Sequence, residues 1–218
     1  MKRTFLLFGA VLAFAASALA AEPPKTLVEM AGARPEAARL KDAVLVIIDA
    51  QREYLDGHLP LAGMDASIKE AALLLDRARK AGAPVVHVVH KGKGAWFNPA
   101  SPYFEIVPPL RPLPGEPVVE KSLVSAFAGT GLNDLLAHTG RKKLILVGYM
   151  THHCVSTTAR AANDLGYAVT VVASATATRG LPDGKGGAIP AAVIQAASLA
   201  ELADRTATVV SLGRDVAE

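Results

Sequence analysis

The stretch Ala43-Val44-Leu45-Val46-Ile47-Ile48-Asp49 decides the fold that we expect for this chain of 218 residues. A strand with one face in water alternates apolar and polar residues, whereas an unbroken apolar run indicates a strand buried on both faces. Strands buried on both faces occur in parallel sheets that are covered by helices. The stretch therefore predicts a central parallel strand, and Asp49 marks its carboxyl end.

Extended and helical patterns alternate along the rest of the chain. Further strands are predicted at residues 84–90, 118–121, 143–148, 168–173 and 206–211, and helices at residues 65–81, 130–138, 155–166 and 189–203. Such alternation indicates a doubly wound sheet with right-handed crossovers. We therefore expect a three-layer α/β fold, with a six-stranded parallel sheet and helices on both faces.

The amino terminus has the pattern of a secretory signal peptide. Lys2 and Arg3 precede an apolar run from Phe5 to Phe14, and Ala18-x-Ala20 is a small-residue cleavage signature. A membrane anchor is the alternative, but the apolar run is short for one. We expect residues 1–20 to be removed after Ala20, leaving a periplasmic or secreted protein that has no membrane association. Residues 21–42 then form a lead-in to one domain at residues 43–218.

Composition excludes some classes of partner. Loss of Lys2 and Arg3 with the signal peptide leaves 21 basic and 20 acidic residues, so the mature chain is almost neutral. A near-neutral chain without a basic stripe is not typical of a nucleic-acid-binding protein. Hydrophobic residues make up 51% of the chain, which favours a folded domain over disorder.

The single cysteine, Cys154, lies in Gly148-Tyr149-Met150-Thr151-His152-His153-Cys154-Val155-Ser156-Thr157-Thr158-Ala159, where a strand gives way to a helix. One cysteine cannot form an intrachain disulfide. A thiol near a helix amino terminus is shifted toward the reactive thiolate. The alternative interpretation is that Cys154 is a small buried hydrophobic residue.

Asp49, Lys121 and Cys154 each follow a predicted strand, and the carboxyl ends of parallel strands meet at one edge of the sheet. Taken alone, a strand-end Asp is often a cap and a strand-end Lys is often solvated. Together they suit a cysteine nucleophile, because the ammonium stabilises a thiolate and the carboxyl group accepts and returns its proton. Backbone N–H groups of Met150 and Cys154 are the predicted oxyanion hole. The expected intermediate is a thioester on Cys154.

Three segments carry a resemblance to a known family: Val46-Ile47-Ile48-Asp49-Ala50-Gln51, Glu120-Lys121-Ser122-Leu123-Val124-Ser125-Ala126-Phe127, and the segment around Cys154. In order and spacing they resemble the isochorismatase-like cysteine hydrolases, which include nicotinamidases, N-carbamoylsarcosine amidohydrolase and streptothricin hydrolase. The resemblance implies an Asp49/Lys121/Cys154 triad and a cis peptide bond before Met150. It also implies a homo-oligomer, either a dimer or a tetramer.

The chain departs from nicotinamidases where those enzymes carry an Asp-x-His…His metal cluster after the second strand. The corresponding segment here is His90-Lys91-Gly92-Lys93-Gly94-Ala95-Trp96-Phe97. His87 and His90 lie three residues apart on a strand, so they point to opposite faces and cannot share one ion. We therefore expect no metal and no cofactor.

The resemblance leaves three functions to compare. Isochorismatases split a vinyl ether through an acid and do not need a thiol, so Cys154 favours cleavage of an amide-type C–N bond in a small molecule. Vinyl-ether hydrolysis with Asp49 as the acid is the first alternative, and a non-catalytic redox or binding module is the second. Residues 91–117 form a long loop of the kind that is usually functional. The predicted substrate pocket consists of Gln51, His90, Trp96, Phe97, Tyr149 and His152.

Overall fold

A computed structural model describes residues 22–218, and the predicted signal peptide lies outside this range. The strands are β1 (Ala43–Ile48), β2 (Val85–His90), β3 (Val118–Lys121), β4 (Lys143–Tyr149), β5 (Ala168–Ala177), β6 (Leu181–Pro182), β7 (Ala188–Ile189) and β8 (Thr208–Val210). The helices are α1 (Leu27–Met30), α2 (Met64–Lys80), α3 (Leu132–His138), α4 (Ser156–Asp164) and α5 (Ala191–Glu201).

The main sheet has six parallel strands in the order β3-β2-β1-β4-β5-β8, which confirms the predicted fold class. β6 and β7 form a separate antiparallel hairpin that the sequence pattern did not predict. Its second strand includes Ile189, which we had expected to begin the last helix. That helix begins after Pro190, whose backbone is extended, so α5 starts at Ala191.

Two hydrophobic clusters cover the two faces of the sheet, and every residue of β1 is buried. Leu45 and Ile47 belong to the cluster that contains α2. Val44, Val46 and Ile48 belong to the cluster that contains residues of α3 and α4. The alternation of side chains along a strand explains why this run must be apolar at every position.

The lead-in packs onto the domain. Leu40 is fully buried and its N–H donates to Ala217 O at 2.8 Å, while the Ala38 N–H donates to the Thr170 hydroxyl at 2.8 Å. Among residues 22–218 no helix combines the length and apolar character that crossing a bilayer requires.

The strand order places β1 and β4 side by side at the centre, where successive connections leave in opposite directions. In open α/β sheets, ligands bind at the carboxyl ends of the strands that flank such a switch point. Gly148 pairs with Ile48 there, and a Cβ atom on Gly148 would lie 2.0 Å from Ile48 O. The two strands can approach this closely only because residue 148 has no side chain.

Candidate active site

Asp49 leaves the end of β1 in a left-handed conformation, with φ of +50°. Asp adopts this region more readily than most residues. Its N–H donates to Val88 O at 2.8 Å, which ties the turn to β2. The carboxyl group is completely buried at the switch point.

Lys121 ends the edge strand β3, and its side chain extends past the end of β2 toward β1 and β4. Its Nζ lies 2.8 Å from Asp49 Oδ2 and 3.2 Å from Cys154 Sγ. It also lies 3.1 Å from His90 Nδ1 and 3.2 Å from Leu123 O. One ammonium group therefore contacts side chains from the ends of three other strands.

Asp49 and Lys121 form a buried ion pair, and neither side chain is accessible to solvent. Its distance is short, but neither carboxylate oxygen of Asp49 meets the directional criteria of a hydrogen bond among the described residues. We interpret the contact as electrostatic, since angular criteria matter less for two full charges than for neutral groups.

Cys154 lies in a π-helical turn, Thr151–Val155, that leads directly into α4. The peptide bond between Tyr149 and Met150 is cis, as the resemblance to the cysteine hydrolases implies. The thiol is unpaired and largely buried, with 6% of the residue exposed at the floor of a cavity.

The expectation of a readily ionised thiol is wrong. Burial raises the pKa of Cys154 to about 12, with a further increase from the charge of Asp49 and an opposing decrease from Lys121. Burial also raises the pKa of Asp49, and Lys121 opposes that shift. Desolvation thus outweighs the nearby helix terminus and the ammonium group. The raised pKa favours the protonated form of the Cys154 thiol, and the Asp49 carboxyl group lies next to the Lys121 ammonium group.

A cavity of about 460 Å³ opens above the thiol. Its lining includes five residues that we had predicted: His90, Trp96, Phe97, Met150 and Cys154. Phe97 packs edge-to-face against His90, with ring centroids 5.1 Å apart. Trp96 also lines the cavity and is 57% exposed, so its ring is accessible to a ligand.

Three predicted pocket residues do not line the cavity. The buried Gln51 amide bonds to the His90 N–H and to the carbonyls of His90 and Phe104, so it holds the loop that follows β2. The Tyr149 hydroxyl is 2.7 Å from the Ser67 hydroxyl inside the core. His152 Nδ1 bonds to the Thr178 hydroxyl.

The cavity lining also contains residues that sequence reasoning missed: Tyr54, Leu59, Ser122, Leu123, Val124, His153 and Arg179. Neighbouring residues in a helical turn diverge, which is why His153 reaches the cavity and His152 does not. Arg179 was missed because β5 was predicted to end at residue 173. The strand ends at Ala177, so Arg179 follows a carboxyl end of the sheet as the triad residues do.

The side chains do not fit a metal cluster of the nicotinamidase kind. His87 Nε2 contacts Glu116 Oε2 at 2.9 Å, whereas His90 Nδ1 contacts Lys121. Within residues 22–218, no group of three or more His, Cys, Asp and Glu side chains is arranged to hold an ion.

Comparison with known proteins places this architecture in a family. The isochorismatase domain matches residues 43–213. The secreted isochorismatase effector Isc1 of Verticillium dahliae is 42% identical over 184 residues, covering 84% of this chain and 94% of its own. A streptothricin hydrolase of Streptomyces noursei is 35% identical over 174 residues, covering 78% and 69% respectively. The crystal structure of an isochorismatase from Pseudomonas putida KT2440 superimposes with a TM-score of 0.85 at 44% identity, covering 89% of this chain and 100% of that one.

The chain therefore belongs to the isochorismatase family, whose members are hydrolases. The resemblance inferred from the three sequence segments is confirmed at this level.

Proposed function

We propose that this isochorismatase-family hydrolase cleaves an amide-type C–N bond of a small molecule, with Cys154 as the nucleophile. The observation that carries the proposal is the position of Lys121 Nζ, between Asp49 Oδ2 at 2.8 Å and Cys154 Sγ at 3.2 Å, at the floor of a cavity. A cysteine nucleophile needs a base for its proton and a cation for its developing charge, and this arrangement supplies both.

The first half-reaction begins from the neutral thiol. Asp49 takes the Sγ proton as sulfur attacks the acyl carbon, and Lys121 stays beside the sulfur as its negative charge develops. The carbonyl oxygen becomes an oxyanion, which the N–H groups of Met150 and Cys154 receive. Asp49 returns the proton to the leaving nitrogen, the C–N bond breaks, and an amine departs. The acyl group is then a thioester on Cys154.

Water completes the second half-reaction. Asp49 is again a carboxylate, and it takes a proton from a water molecule while the oxygen of that water attacks the thioester carbon. The tetrahedral species expels sulfur, Asp49 gives its proton to the sulfur, and a carboxylic acid is released. Because the same carboxyl group accepts and donates a proton in each half, a raised pKa suits its task.

The cavity favours a substrate that carries a negative charge. Arg179 lies in its wall, and none of the lining residues is acidic. The Tyr54, Trp96 and Phe97 rings form apolar walls suited to a flat or hydrophobic portion. We therefore expect Arg179→Ala to raise the KM for amides that bear a carboxylate and to leave the KM for neutral amides nearly unchanged. Steady-state kinetics on matched acid and methyl-ester substrates measures the difference.

Export of the enzyme is part of the proposal. The signal-peptide pattern of residues 1–20 supports it, and the similar protein of Verticillium dahliae is described as secreted. We also expect the mature protein to be a dimer or tetramer, which light scattering on the purified enzyme measures.

The decisive experiment is a screen of small amides, ureas and lactams for release of ammonia or amine, with the wild type, Cys154→Ser and Cys154→Ala in parallel. We expect turnover by the wild type alone and an acyl adduct on Cys154 in rapidly quenched samples, seen by intact-mass spectrometry. Full turnover by Cys154→Ala would overturn the proposal.

One observation favours a second candidate, the isochorismatase-type hydrolysis of a vinyl ether. Burial raises the pKa of Asp49, and a protonated carboxyl group is the acid that this reaction needs. Incubation with isochorismate separates the two reactions, because vinyl-ether hydrolysis by Asp49 survives alkylation of Cys154. A redox-sensing module is less well supported, since sensor thiols have depressed pKa values and the pKa of this thiol is raised.

A further inference from the structure

His90 lies at the carboxyl end of β2, between the strands that supply Asp49 and Lys121. The main-chain register pairs it with Lys121, and Gln51 holds its backbone N–H and carbonyl. The ring is half-buried, and Phe97 packs against it edge-to-face. These contacts fix the imidazole in one place.

The contact between the two side chains determines the tautomer of the imidazole. His90 Nδ1 lies 3.1 Å from Lys121 Nζ. An ammonium group has three donors and no acceptor, so Nδ1 must be the acceptor and the ring proton must lie on Nε2. Burial and the charge of Lys121 lower the pKa of His90 to about 4, which keeps the ring neutral and able to accept.

The surroundings of Lys121 show why this acceptor matters. The ammonium group has three protons, and the three acceptors that meet hydrogen-bond geometry are His90 Nδ1, Leu123 O and Cys154 Sγ, while Asp49 Oδ2 at 2.8 Å is an ionic contact. A buried ammonium proton without an acceptor is costly, so each acceptor helps to set the direction of the others. The thiolate is stabilised only while an ammonium proton points at the sulfur.

We propose that His90 is a positioning residue that fixes the Lys121 ammonium between Asp49 and Cys154 by accepting one of its protons. The role rests on the proposed function for its use in hydrolysis, but its physical effect is on the thiol itself. Loss of this acceptor leaves one ammonium proton without a hydrogen-bond partner and leaves Lys121 free to turn toward Asp49 Oδ2, so Cys154 ionises less readily.

The test compares His90→Asn with His90→Leu, two side chains of similar shape. Asn places an acceptor oxygen near the position of Nδ1, and Leu has none. The readout is the rate of alkylation of Cys154 by iodoacetamide, followed by intact mass across a range of pH. Both variants keep the other titratable and charged groups near the sulfur, so these groups do not explain a difference in rate. They are Asp49, Tyr54, Lys121, His153 and Arg179.

We expect His90→Leu to react about tenfold more slowly than His90→Asn at a given pH below the thiol pKa, which corresponds to a rise of about one pKa unit. Since both variants open the cavity equally, access of the reagent does not explain a difference between them. Equal rates for the two variants would overturn the proposal. If His90→Leu does not fold, as judged by thermal unfolding, the shape-matched pair His90→Thr and His90→Val takes its place, since Thr keeps an acceptor oxygen and Val has none.

The matched control is His87→Leu, which removes an imidazole from the same strand where it contacts Glu116 rather than Lys121. We expect the wild-type alkylation rate for this variant, and a slowing equal to that of His90→Leu would count against the positioning role. Alkylation requires no substrate. A failure of the hydrolase proposal, seen as turnover by Cys154→Ala, is therefore distinguishable from a failure of the proposal for His90.

Discussion

In the proposed mechanism Asp49 and Cys154 exchange a proton, and the charges of Asp49 and Lys121 control where that proton lies. Asp49 favours the protonated thiol through its negative charge, and Lys121 favours the thiolate. Burial magnifies both effects, since neither the carboxyl nor the ammonium group reaches water. The roles of the two residues are therefore separable by experiment on the thiol alone.

Replacement of Asp49 by Asn is expected to have opposite effects on reactivity toward alkylation and on turnover. The thiol pKa falls because the negative charge is gone, so iodoacetamide reacts faster at a given pH. Hydrolysis falls by about 10²–10⁴-fold because the proton acceptor is lost. Lys121→Met is the matched opposite change and should slow alkylation. An unchanged alkylation rate in Asp49→Asn would show that its charge does not influence the sulfur.

In the proposed mechanism, the pH dependence of kcat/KM should report the raised pKa of Asp49. Only the carboxylate accepts the thiol proton, so activity is lost as the pH falls through the pKa of the folded enzyme. Since burial raises that pKa, the acid limb should lie above the ordinary value of 3.8. A pH–rate profile measures the limb, and full activity down to pH 3.8 would contradict the assignment.

At the scale of the elements, the junction between β1 and β4 has little room for an added side chain. Gly148 has φ of +118°, and an added Cβ would meet both Ile48 O at 2.0 Å and Ile48 N at 2.7 Å. Backbone atoms cannot yield as the end of a flexible side chain can. The two strands whose ends carry Asp49 and lead to Cys154 would have to separate.

We therefore expect Gly148→Ala to lower the free energy of unfolding by about 3 kcal/mol or more, from the clash and the backbone conformation together. Gly140→Ala is the matched control, because φ is +68° there but nothing lies within 4 Å of the added atom. That change should cost about 1–2 kcal/mol. Urea unfolding measures both, and equal losses would show that the close approach is unimportant.

The loop after β2 is held by buried groups rather than by secondary structure. The Gln51 amide holds His90 and Phe104, and the Phe97 N–H donates to Glu53 Oε2 at 3.2 Å. These bonds place Phe97 and the neighbouring Trp96 over the thiol. The predicted pocket role of Gln51 was wrong, because this side chain, two residues after Asp49, bonds to the backbone that shapes the cavity and does not line it.

At the scale of the whole molecule, the proposed export predicts where the mature chain begins. We expect the full chain, expressed in a bacterium with a periplasm, to yield a product that begins at Ala21. Intact-mass analysis of the periplasmic fraction measures this. Ala18→Asp should prevent cleavage, because signal peptidase sites require a small residue there. An intact amino terminus on the exported wild type would contradict the prediction.

The sequence by itself determined the sheet and the meeting of three side chains at one of its edges. Apolar runs such as Ala43–Ile48 require burial on both faces, and strand ends in a parallel sheet must share an edge. Asp49, Lys121 and Cys154 were therefore predictable as neighbours before any coordinates were known.

Only the tertiary structure decided the ionisation of the site and the walls of its cavity. Desolvation depends on every atom packed around a group, which is why the thiol pKa is raised although the local pattern favoured a thiolate. The direction of a side chain in a turn also depends on its packing, which placed His153 in the cavity wall and His152 against Thr178. Burial and direction are properties of the assembled fold, and no short stretch of sequence contains them.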